Sequence, residues 1–427
     1  MTLRTLCTLA ATAALLMGCS SPPASQSSGQ PSEAASTSAP SPIASASPSS
    51  PGSADAPVPN SSQPIGPVKR LVFGGANLCG IMPSGKVLCA GEWPLAFETP
   101  TSIGSRNQYF HRALEIPNLG EVTSVALGTD RGCATHPDGT VSCWGNNHPT
   151  QNGWFGAEPN ALSPAPVAGI TDAVELALTG TATCALTRSQ KVVCWGPSMI
   201  LTGRKEGPPP ASRTIAIDGA VQIDGSWKQA CAVTKQGKVG CWGDARSGLL
   251  GDVGAPQDER RVYFQSGIPA VEEVSVASYH ICAREREGSI WCWGNNGGGL
   301  LGDGTLELRQ APVRVHGITN AAQVAISSSL SCARTRDGKV LCWGENANCD
   351  LGSKPAGCIE REMMSTMGSS KIQLCPEPQL IPLSIVPKSI AVGETSACAW
   401  DESGAVECWG RNLMGGPLSC KPEPWAW

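Results

Sequence analysis

Short apolar runs alternate with polar turns along the chain from about residue 67 onward, and no run has helical spacing. Residues 133–144 show the pattern, because two apolar runs flank the turn Pro137-Asp138-Gly139. Apolar and polar positions that alternate on both sides of a glycine-containing turn indicate a β-hairpin. A three-residue loop here would place Cys133 directly opposite Cys143.

This hairpin recurs seven times, each time with two cysteines separated by nine residues. Trp-Gly follows the second cysteine in six units, and successive first cysteines lie 47 to 66 residues apart. The predicted pairs are Cys79 with Cys89, Cys133 with Cys143, Cys184 with Cys194, Cys231 with Cys241, Cys282 with Cys292, Cys332 with Cys342, and Cys398 with Cys408. A period near 50 residues is typical of one supersecondary unit that is stacked many times.

Each unit contains further strand patterns before its hairpin. An apolar stretch such as 174–178 precedes the first cysteine, and a Pro-Val run such as 165–167 precedes that stretch. The chain is therefore predicted to be all-β, a seven-bladed β-propeller of four-stranded blades of about 50 residues. An open solenoid is the alternative. The first unit lacks an obvious Pro-Val strand, and we expect residues 417–425 to supply it and close the ring.

The faces of each hairpin indicate how the units pack. Valine or isoleucine stands two residues before each second cysteine, on the same strand face, and alanine or glycine follows each first cysteine. Both faces should therefore be covered by neighbouring blades. Six tryptophans are predicted to belong to this core: Trp144, Trp195, Trp242, Trp293, Trp343 and Trp409. In the third unit Gln190 replaces the turn glycine, so we expect strain of about 1 kcal/mol or another turn there.

One motif makes a family resemblance specific. Cys-Trp-Gly-Asn-Asn at residues 292–296, followed by Gly-Leu-Leu-Gly-Asp-Gly-Thr at residues 299–305, resembles the regulator of chromosome condensation repeat. The resemblance extends over about residues 67–420, and the cysteine-paired form is similar to exported bacterial members. It implies a non-enzymatic propeller that binds its partner through rim loops.

The N-terminal residues resemble a bacterial lipoprotein signal. Arg4 precedes the apolar segment 6–16, which runs into Leu-Met-Gly and Cys19. We predict a signal peptide over residues 1–18, a lipid on Cys19, a disordered Ser/Pro/Ala linker over 19–66, and the propeller over 67–427 with an insertion at 345–380. The resemblance implies the cell envelope, and the outer membrane of a Gram-negative bacterium is favoured. An ordinary secretory signal with a chance cysteine is the alternative.

The composition restricts the classes of partner and of site that the chain can have. The formal net charge is −4, which disfavours nucleic acid as a partner. Fourteen cysteines at a fixed spacing in an exported chain favour disulfides over metal sites. Neither a metal nor a cofactor is predicted. Five scattered histidines and no catalytic motif favour a protein that is not an enzyme; His280, two residues before a blade cysteine, is expected to be structural.

Four extra cysteines fall outside the hairpin pairs: Cys349, Cys358, Cys375 and Cys420. Their three possible pairings stay open from the sequence. Three of them lie in the insertion 345–380, which is equally well interpreted as a contact surface or as a family-specific excursion held by two disulfides.

Function is predicted as binding of an unidentified protein or glycan by a propeller that we expect to be a monomer and to meet the membrane only through its lipid. Aromatic residues outside the core register are the candidate partner-binding residues: Trp93, Trp154, Phe155 and Trp227. The alternatives are an enzyme with a site in the central channel, or nucleotide exchange on a small GTPase, the activity of the founding eukaryotic relative. An exported chain disfavours the latter.

Overall fold

The structure is a computed structural model that describes most of the chain from residue 67 to residue 425. The described residues are 67–75, 77–91, 113–146, 160–180, 182–196, 212–244, 250, 261–347, 349–351, 355, 357–365, 368–411 and 419–425. Cys19, Trp93, Trp154 and Phe155 lie outside them, so the predictions for these residues stay predictions. The described residues contain 29 strands. No helix among these residues is long and apolar enough to cross a membrane.

The strands form seven antiparallel sheets, which are the blades. Blade 1 contains β1 (Arg70–Gly74), β2 (Asn77–Ile81), β3 (Val87–Gly91) and β4 (Leu114–Glu115). Blade 2 contains β5 (Ser124–Leu127), β6 (Arg131–Thr135), β7 (Val141–Asn146) and β8 (Asn160–Pro166). Blade 3 contains β9 (Ala173–Leu178), β10 (Thr183–Thr187), β11 (Val192–Trp195) and β12 (Arg213–Ile215). Blade 4 contains β13 (Ala220–Ser226), β14 (Gln229–Thr234), β15 (Val239–Gly243) and β16 (Tyr263–Phe264).

The remaining blades follow the same order with one addition. Blade 5 contains β17 (Val271–Val276), β18 (His280–Glu285), β19 (Ile290–Gly294) and β20 (Arg309–Arg314). Blade 6 contains β21 (Ala321–Ile326), β22 (Leu330–Thr335), β23 (Val340–Glu345), β24 (Ile359–Ser365) and β25 (Gly368–Ile381). Blade 7 contains β26 (Ser389–Val392), β27 (Ser396–Trp400), β28 (Val406–Gly410) and β29 (Ser419–Pro424).

The blades close into a ring. The first strand of each blade contacts the first strand of the next, and β26 of blade 7 contacts β1 of blade 1. This closure confirms the predicted seven-bladed β-propeller and excludes the open solenoid.

The cysteine hairpins have the predicted register, and in every blade the two cysteines face each other across the second and third strands. Each pair forms a disulfide, and the paired Cα atoms lie 4.0–4.1 Å apart. The seven bonds join Cys79 to Cys89, Cys133 to Cys143, Cys184 to Cys194, Cys231 to Cys241, Cys282 to Cys292, Cys332 to Cys342, and Cys398 to Cys408. The structure therefore has the pairs that the spacing predicts.

The turns of these hairpins differ in one blade. In the turn of blade 2, Gly139 has φ 90°, and in blade 3 Gln190 has the same hydrogen-bonded turn at φ 63°. Blade 3 therefore keeps the turn and places a side chain in a left-handed conformation that disfavours it.

Seven apolar clusters, one between each pair of neighbouring blades, form the core. The cluster between blades 3 and 4 contains the disulfide Cys184–Cys194 and Val192 from one blade, and Ala232 and Trp242 from the other. The six tryptophans that follow a second cysteine are between 0% and 3% exposed, which confirms their assignment to the core. Blade 1 has Ala90 at this position, and its cluster with blade 7 contains Trp400 instead.

The expected closure of the ring by residues 417–425 is wrong. β29 pairs with β28 and completes blade 7, whereas β4 completes blade 1. The reason is the position of the Pro-Val run, which is the fourth strand of the preceding blade and not the first strand of the next. Every blade is thus formed by one continuous segment of chain.

The insertion in blade 6 is a β-hairpin, and the extra cysteines hold it. β25 pairs along one part with β23 and along another with β24. One disulfide, Cys358–Cys375, lies within the insertion, and the other, Cys349–Cys420, joins it to β29 of blade 7. These bonds select one of the three pairings that the sequence left open.

Candidate functional site

The propeller has two faces, which we name by their turns. The front face carries the turns between the first and second strands of each blade, such as Trp227-Lys228 and Ser278-Tyr279. The back face carries the cysteine-hairpin turns, such as Pro137-Asp138-Gly139. Between the faces runs a central channel of about 1140 Å³, which all seven first strands line.

Four polar side chains on the channel wall form an inter-blade belt: Glu175, Gln222, Glu273 and Gln323. Each occupies the same position in its first strand and binds the backbone of the next blade. The backbone N–H groups that they accept from are those of Ile223, Val274, Val324 and Ile390, at 2.9, 2.9, 3.1 and 3.0 Å respectively. The first strand is the inner edge of its sheet, so its channel-side N–H groups have no strand to pair with. The belt supplies the acceptors that these groups need.

Gln222 and Gln323 make a second bond with their amide nitrogens. Nε2 of Gln222 donates to the carbonyl of Val274 at 3.0 Å, and Nε2 of Gln323 donates to the carbonyl of Ile390 at 2.9 Å. A glutamine can therefore satisfy both backbone groups of one residue in the next blade, whereas a carboxylate only accepts.

Carboxyl groups on the channel wall have raised pKa values. Burial raises the pKa of Asp224 to about 7, although backbone N–H groups of Val276 and Gly225 donate to it at 2.7 and 2.8 Å. Burial likewise raises the pKa of Glu175 and of Glu273, the second of which also binds Arg284 at 2.8 Å. These carboxyl oxygens are engaged with the next blade or with a cation of the scaffold. The arrangement is one of hydrogen-bond acceptors within the ring.

A second set of inter-blade bonds begins at the first residue of the second strand. Nη2 of Arg131 donates to the carbonyl of Thr179 at 2.7 Å, and Nε2 of Gln229 donates to the carbonyl of Ala277 at 2.8 Å. His280 holds the same position in blade 5, where its Nε2 lies 2.8 Å from Oγ of Ser331 in blade 6. Burial lowers the pKa of His280 to about 3, so the imidazole is neutral. His280 therefore contributes to blade packing.

Two large aromatic side chains stand exposed where the channel opens on the front face. Trp227 is 55% exposed and Tyr279 is 57% exposed, and both line the channel. They occupy the front turns of blades 4 and 5, which are neighbours in the ring. We call this opening the front mouth.

The backbone at Trp227 is strained. Its φ is +34°, a left-handed value that is rare for a bulky residue. The neighbouring blade holds it there, because the N–H of Gly180 donates to the carbonyl of Trp227 at 2.6 Å. A Cβ atom at Gly180 would lie 2.8 Å from that carbonyl oxygen, so only glycine permits the approach. Strain of this kind occurs preferentially at functional sites.

Serine hydroxyls and one carboxylate form an arc at the front mouth: Ser226, Ser278, Ser328 and Glu394. Oγ of Ser278 lies 3.4 Å from that of Ser226 and 3.1 Å from that of Ser328. Oγ of Ser328 donates to Oε1 of Glu394 at 3.0 Å. The arc thus crosses from blade 4 to blade 7 with one contact at each blade boundary.

The insertion hairpin of blade 6, formed by β24 and β25 and held by two disulfides, projects from the same face. At its base the N–H of Glu345 donates to the carbonyl of Ser329, in the front turn of blade 6, at 2.8 Å. Nη1 of Arg361 donates to the carbonyl of Gly297 in blade 5 at 3.1 Å. The front face therefore combines the mouth with a rigid projection beside it.

Of the four predicted partner-binding residues, the structure describes Trp227 and places it at the front mouth. Sequence reasoning missed Tyr279 and Glu394. Tyr279 directly precedes His280, at a turn position where no other unit has an aromatic residue, and that difference was the available signal. The other units have Ala76, Asp130, Thr181, Lys228, Ser329 and Thr395 there. Among the described residues, no three histidine, cysteine, aspartate or glutamate side chains are grouped to hold a metal ion.

Comparisons with known proteins agree with this architecture. Two profiles of the regulator of chromosome condensation (RCC1) repeat match residues 287–334 and 321–348. No curated protein matches the sequence.

Solved structures of similar shape include two of the yeast protein Prp20 and one of a human protein. Prp20p from Saccharomyces cerevisiae, described with its binding properties to Gsp1p and histones, is 18% identical, with a TM-score of 0.67 over 81% of this chain and 86% of that chain. Yeast RCC1 (Prp20) bound to Kap60 is 18% identical, with a TM-score of 0.64 over 84% of each chain. Human WBSCR16 is 19% identical, with a TM-score of 0.64 over 80% of this chain and 95% of that chain. At these identities the likeness shows a shared fold, and together with the matching profiles it shows that the chain carries repeats of the regulator of chromosome condensation family at residues 287–348.

Proposed function

We propose that this protein is a non-enzymatic propeller that binds a protein partner through its front face. The observation that carries the proposal is the pair Trp227 and Tyr279, two aromatic side chains more than half exposed at the mouth of a rigid channel. Tryptophan and tyrosine are enriched among the residues that contribute most to protein binding, and a fixed scaffold reduces the entropy lost on association. The partners named for the yeast relatives, Gsp1p, histones and Kap60, are proteins as well.

The channel carboxyl groups support binding rather than catalysis. A general acid or base needs an oxygen within reach of a substrate proton. Here Glu175 and Asp224 direct their oxygens at backbone N–H groups of the next blade. The described residues of the channel therefore support a binding module better than an enzyme. The net charge of −4 supports a partner other than nucleic acid.

The entry point of the chain supports a tethered arrangement. Pro67 lies against Gly404, in a cysteine-hairpin turn on the back face, and the N–H of Val68 donates to the carbonyl of Gly404 at 3.3 Å. In our proposal a lipid on Cys19 and the linker 19–66 hold the propeller at the outer membrane. Pro67, where the predicted linker ends, lies on the back face, opposite the front mouth.

Site-specific crosslinking in intact cells tests the proposal. A photo-crosslinking amino acid replaces Trp227 or Tyr279 in the full chain, expressed in its native host. We expect each position to give a discrete protein adduct, identified by mass spectrometry. The matched control places the same amino acid at Phe264, which is 47% exposed in the outer strand of blade 4. Equal adducts from Phe264, or none from the two front positions, would contradict the proposal.

A further inference from the structure

We propose that the front mouth receives a cationic side chain of the partner, a lysine ammonium or an arginine guanidinium, recognised by Trp227, Tyr279 and Glu394. This inference rests on the proposed function and specifies the chemistry of the partner. Its basis is the set of groups that the mouth presents, which are aromatic rings and oxygen atoms.

The arc presents oxygen acceptors. Three of its members are hydroxyls and the fourth, Glu394, is a carboxylate. Each oxygen lies within 3.4 Å of the next one along the arc. The N–H groups of lysine and arginine side chains only donate hydrogen bonds. A donor-only ligand therefore matches this arc, whereas a carboxylate or phosphate ligand would meet Glu394 with like charge.

The charges of the mouth leave one carboxylate without a cation among the described residues. Nζ of Lys228 lies 3.6 Å from Asp244, and Arg131, which is 1% exposed, is attracted by Asp130. The carboxylate of Glu394 accepts a hydrogen bond from Oγ of Ser328, which is neutral, and Oγ of Ser329 donates to the backbone carbonyl of Glu394. Its pKa is raised by burial, against hydrogen bonds from Ser328, and no cation of the described scaffold lowers it. An incoming cation would supply the missing charge.

The two exposed rings add to this attraction. The faces of tryptophan and tyrosine carry negative electrostatic potential and attract ammonium and guanidinium groups. The hydrogen bond from Gly180 holds the backbone of Trp227 in place at the mouth before the partner arrives. Because the channel behind the mouth has a volume of about 1140 Å³, a long side chain on a protruding partner loop can enter without displacing a blade.

Short cyclic peptides test the inference directly on the full chain. One peptide carries arginine at the tip of its loop, a second carries citrulline, which has the same shape without the charge, and a third carries lysine. Isothermal titration calorimetry measures each affinity. We expect the arginine and lysine peptides to bind about tenfold more tightly than the citrulline peptide, from one ion pair and one cation–π contact at an exposed site. Equal affinities, or no binding of the arginine peptide at millimolar concentration, overturn the inference.

Variants assign the preference to the mouth. Glu394→Gln keeps the size of the side chain and its bond with Ser328, and should abolish the preference for arginine over citrulline. Tyr279→Ala and Trp227→Ala should each weaken arginine binding severalfold. The matched controls are Glu402→Gln, near the back-face turn of blade 7, and Phe264→Ala, and neither should change any affinity. A loss of preference in Glu402→Gln equal to that in Glu394→Gln would show a non-specific charge effect and overturn the site.

The peptide and crosslinking experiments can contradict the two proposals independently of each other. If crosslinking identifies a protein at Trp227 while the peptides show no charge preference, the proposed function stands and this inference is wrong. A neutral oligosaccharide, chitotetraose, serves as a further probe. If it binds at the mouth and the arginine peptide does not, the ligand is a glycan and both proposals are wrong.

Discussion

Asp224 is the residue at which the ring depends most directly on pH. Its carboxyl group accepts N–H groups from Val276 and Gly225, and burial raises its pKa to about 7. In the unfolded chain an aspartate has a pKa of about 3.9. The folded protein therefore holds a proton that the unfolded chain releases between these values. The stabilisation is complete below pH 4 and is lost as the pH rises towards 7.

The variant Asp224→Asn removes this titration. We expect its free energy of unfolding, relative to that of the wild type, to rise by about 1–2 kcal/mol between pH 5 and pH 8, after a discount for water in the channel. Urea unfolding across this range measures the difference. The loss of one hydrogen bond shifts the variant equally at every pH and does not affect the slope. The control is Glu423→Gln, an exposed carboxylate in β29, whose curve should parallel the wild type. Parallel curves for Asp224→Asn would disprove the assignment.

His280 contributes in the opposite direction. Its folded pKa of about 3 lies below the value of about 6.5 in an unfolded chain. Its stabilisation is therefore present above pH 6.5 and is lost as the pH falls. Because both the wild type and Asp224→Asn contain His280, this residue does not affect the difference between their free energies of unfolding.

At the scale of the element, the inter-blade belt connects strands that no sheet connects. Gln222 binds both the N–H and the carbonyl of Val274 in the next blade. We expect Gln222→Leu to leave both backbone groups without a protein partner and to lower the free energy of unfolding by about 1–2 kcal/mol. Chemical denaturation measures the change.

A glutamine on an outer strand provides the matched control. The amide of Gln379 in β25 donates to the carbonyl of Glu377, two residues away, and to no other blade. Gln379→Leu should therefore change stability by no more than about 0.5 kcal/mol. If both variants lose equal stability, the belt has no special role.

An element is predictable from the sequence when the residues that determine it are close together in the chain. A hairpin with facing cysteines follows from the spacing of Cys133 and Cys143, because turn and strands lie within eleven residues. The blade boundary does not follow, because a Pro-Val strand such as β8 stands between two apolar stretches and can pair with either. Only pairing in three dimensions decides between them.

The sequence predicted one residue of the candidate site, Trp227. Trp227 departs from the tryptophan register of the core, and that departure predicts exposure. Glu394 gives no such signal, because its partner Ser328 is 66 residues away in the chain. The belt is hidden for the same reason, since Gln222 and Val274 are 52 residues apart.

At the scale of the whole molecule, the ring closes without exchanging a strand between its ends. Blade 1 and blade 7 each contain four strands from one segment, and they meet through side chains such as Leu71, Phe73 and Trp400. The chain enters beside Gly404, and the N–H of Trp425 donates to the carbonyl of Val406 at 2.9 Å. Entry and exit therefore lie close together at blade 7.

Circular permutation tests this closure. A variant that joins Trp425 to Pro67 by a short linker, with new ends between Gly267 and Ile268, cuts the chain between blades 4 and 5. We expect it to fold with a melting temperature within about 5 °C of the wild type. The control has its new ends between Gly237 and Lys238, inside the cysteine hairpin of blade 4, and should be less stable. If the first permutant is the less stable of the two, a blade is not an independent unit of this ring.

The bridge Cys349–Cys420 spans 71 residues and encloses both Cys358–Cys375 and Cys398–Cys408. If an oxidase joined thiols in the order of their emergence during translocation, it would form the first six bridges correctly, since each links consecutive cysteines. It would then join Cys349 to Cys358, Cys375 to Cys398 and Cys408 to Cys420, and none of these pairs is native. If the chain is exported as we propose, its maturation would therefore need either a delay until Cys420 arrives or a disulfide isomerase that corrects these three pairs.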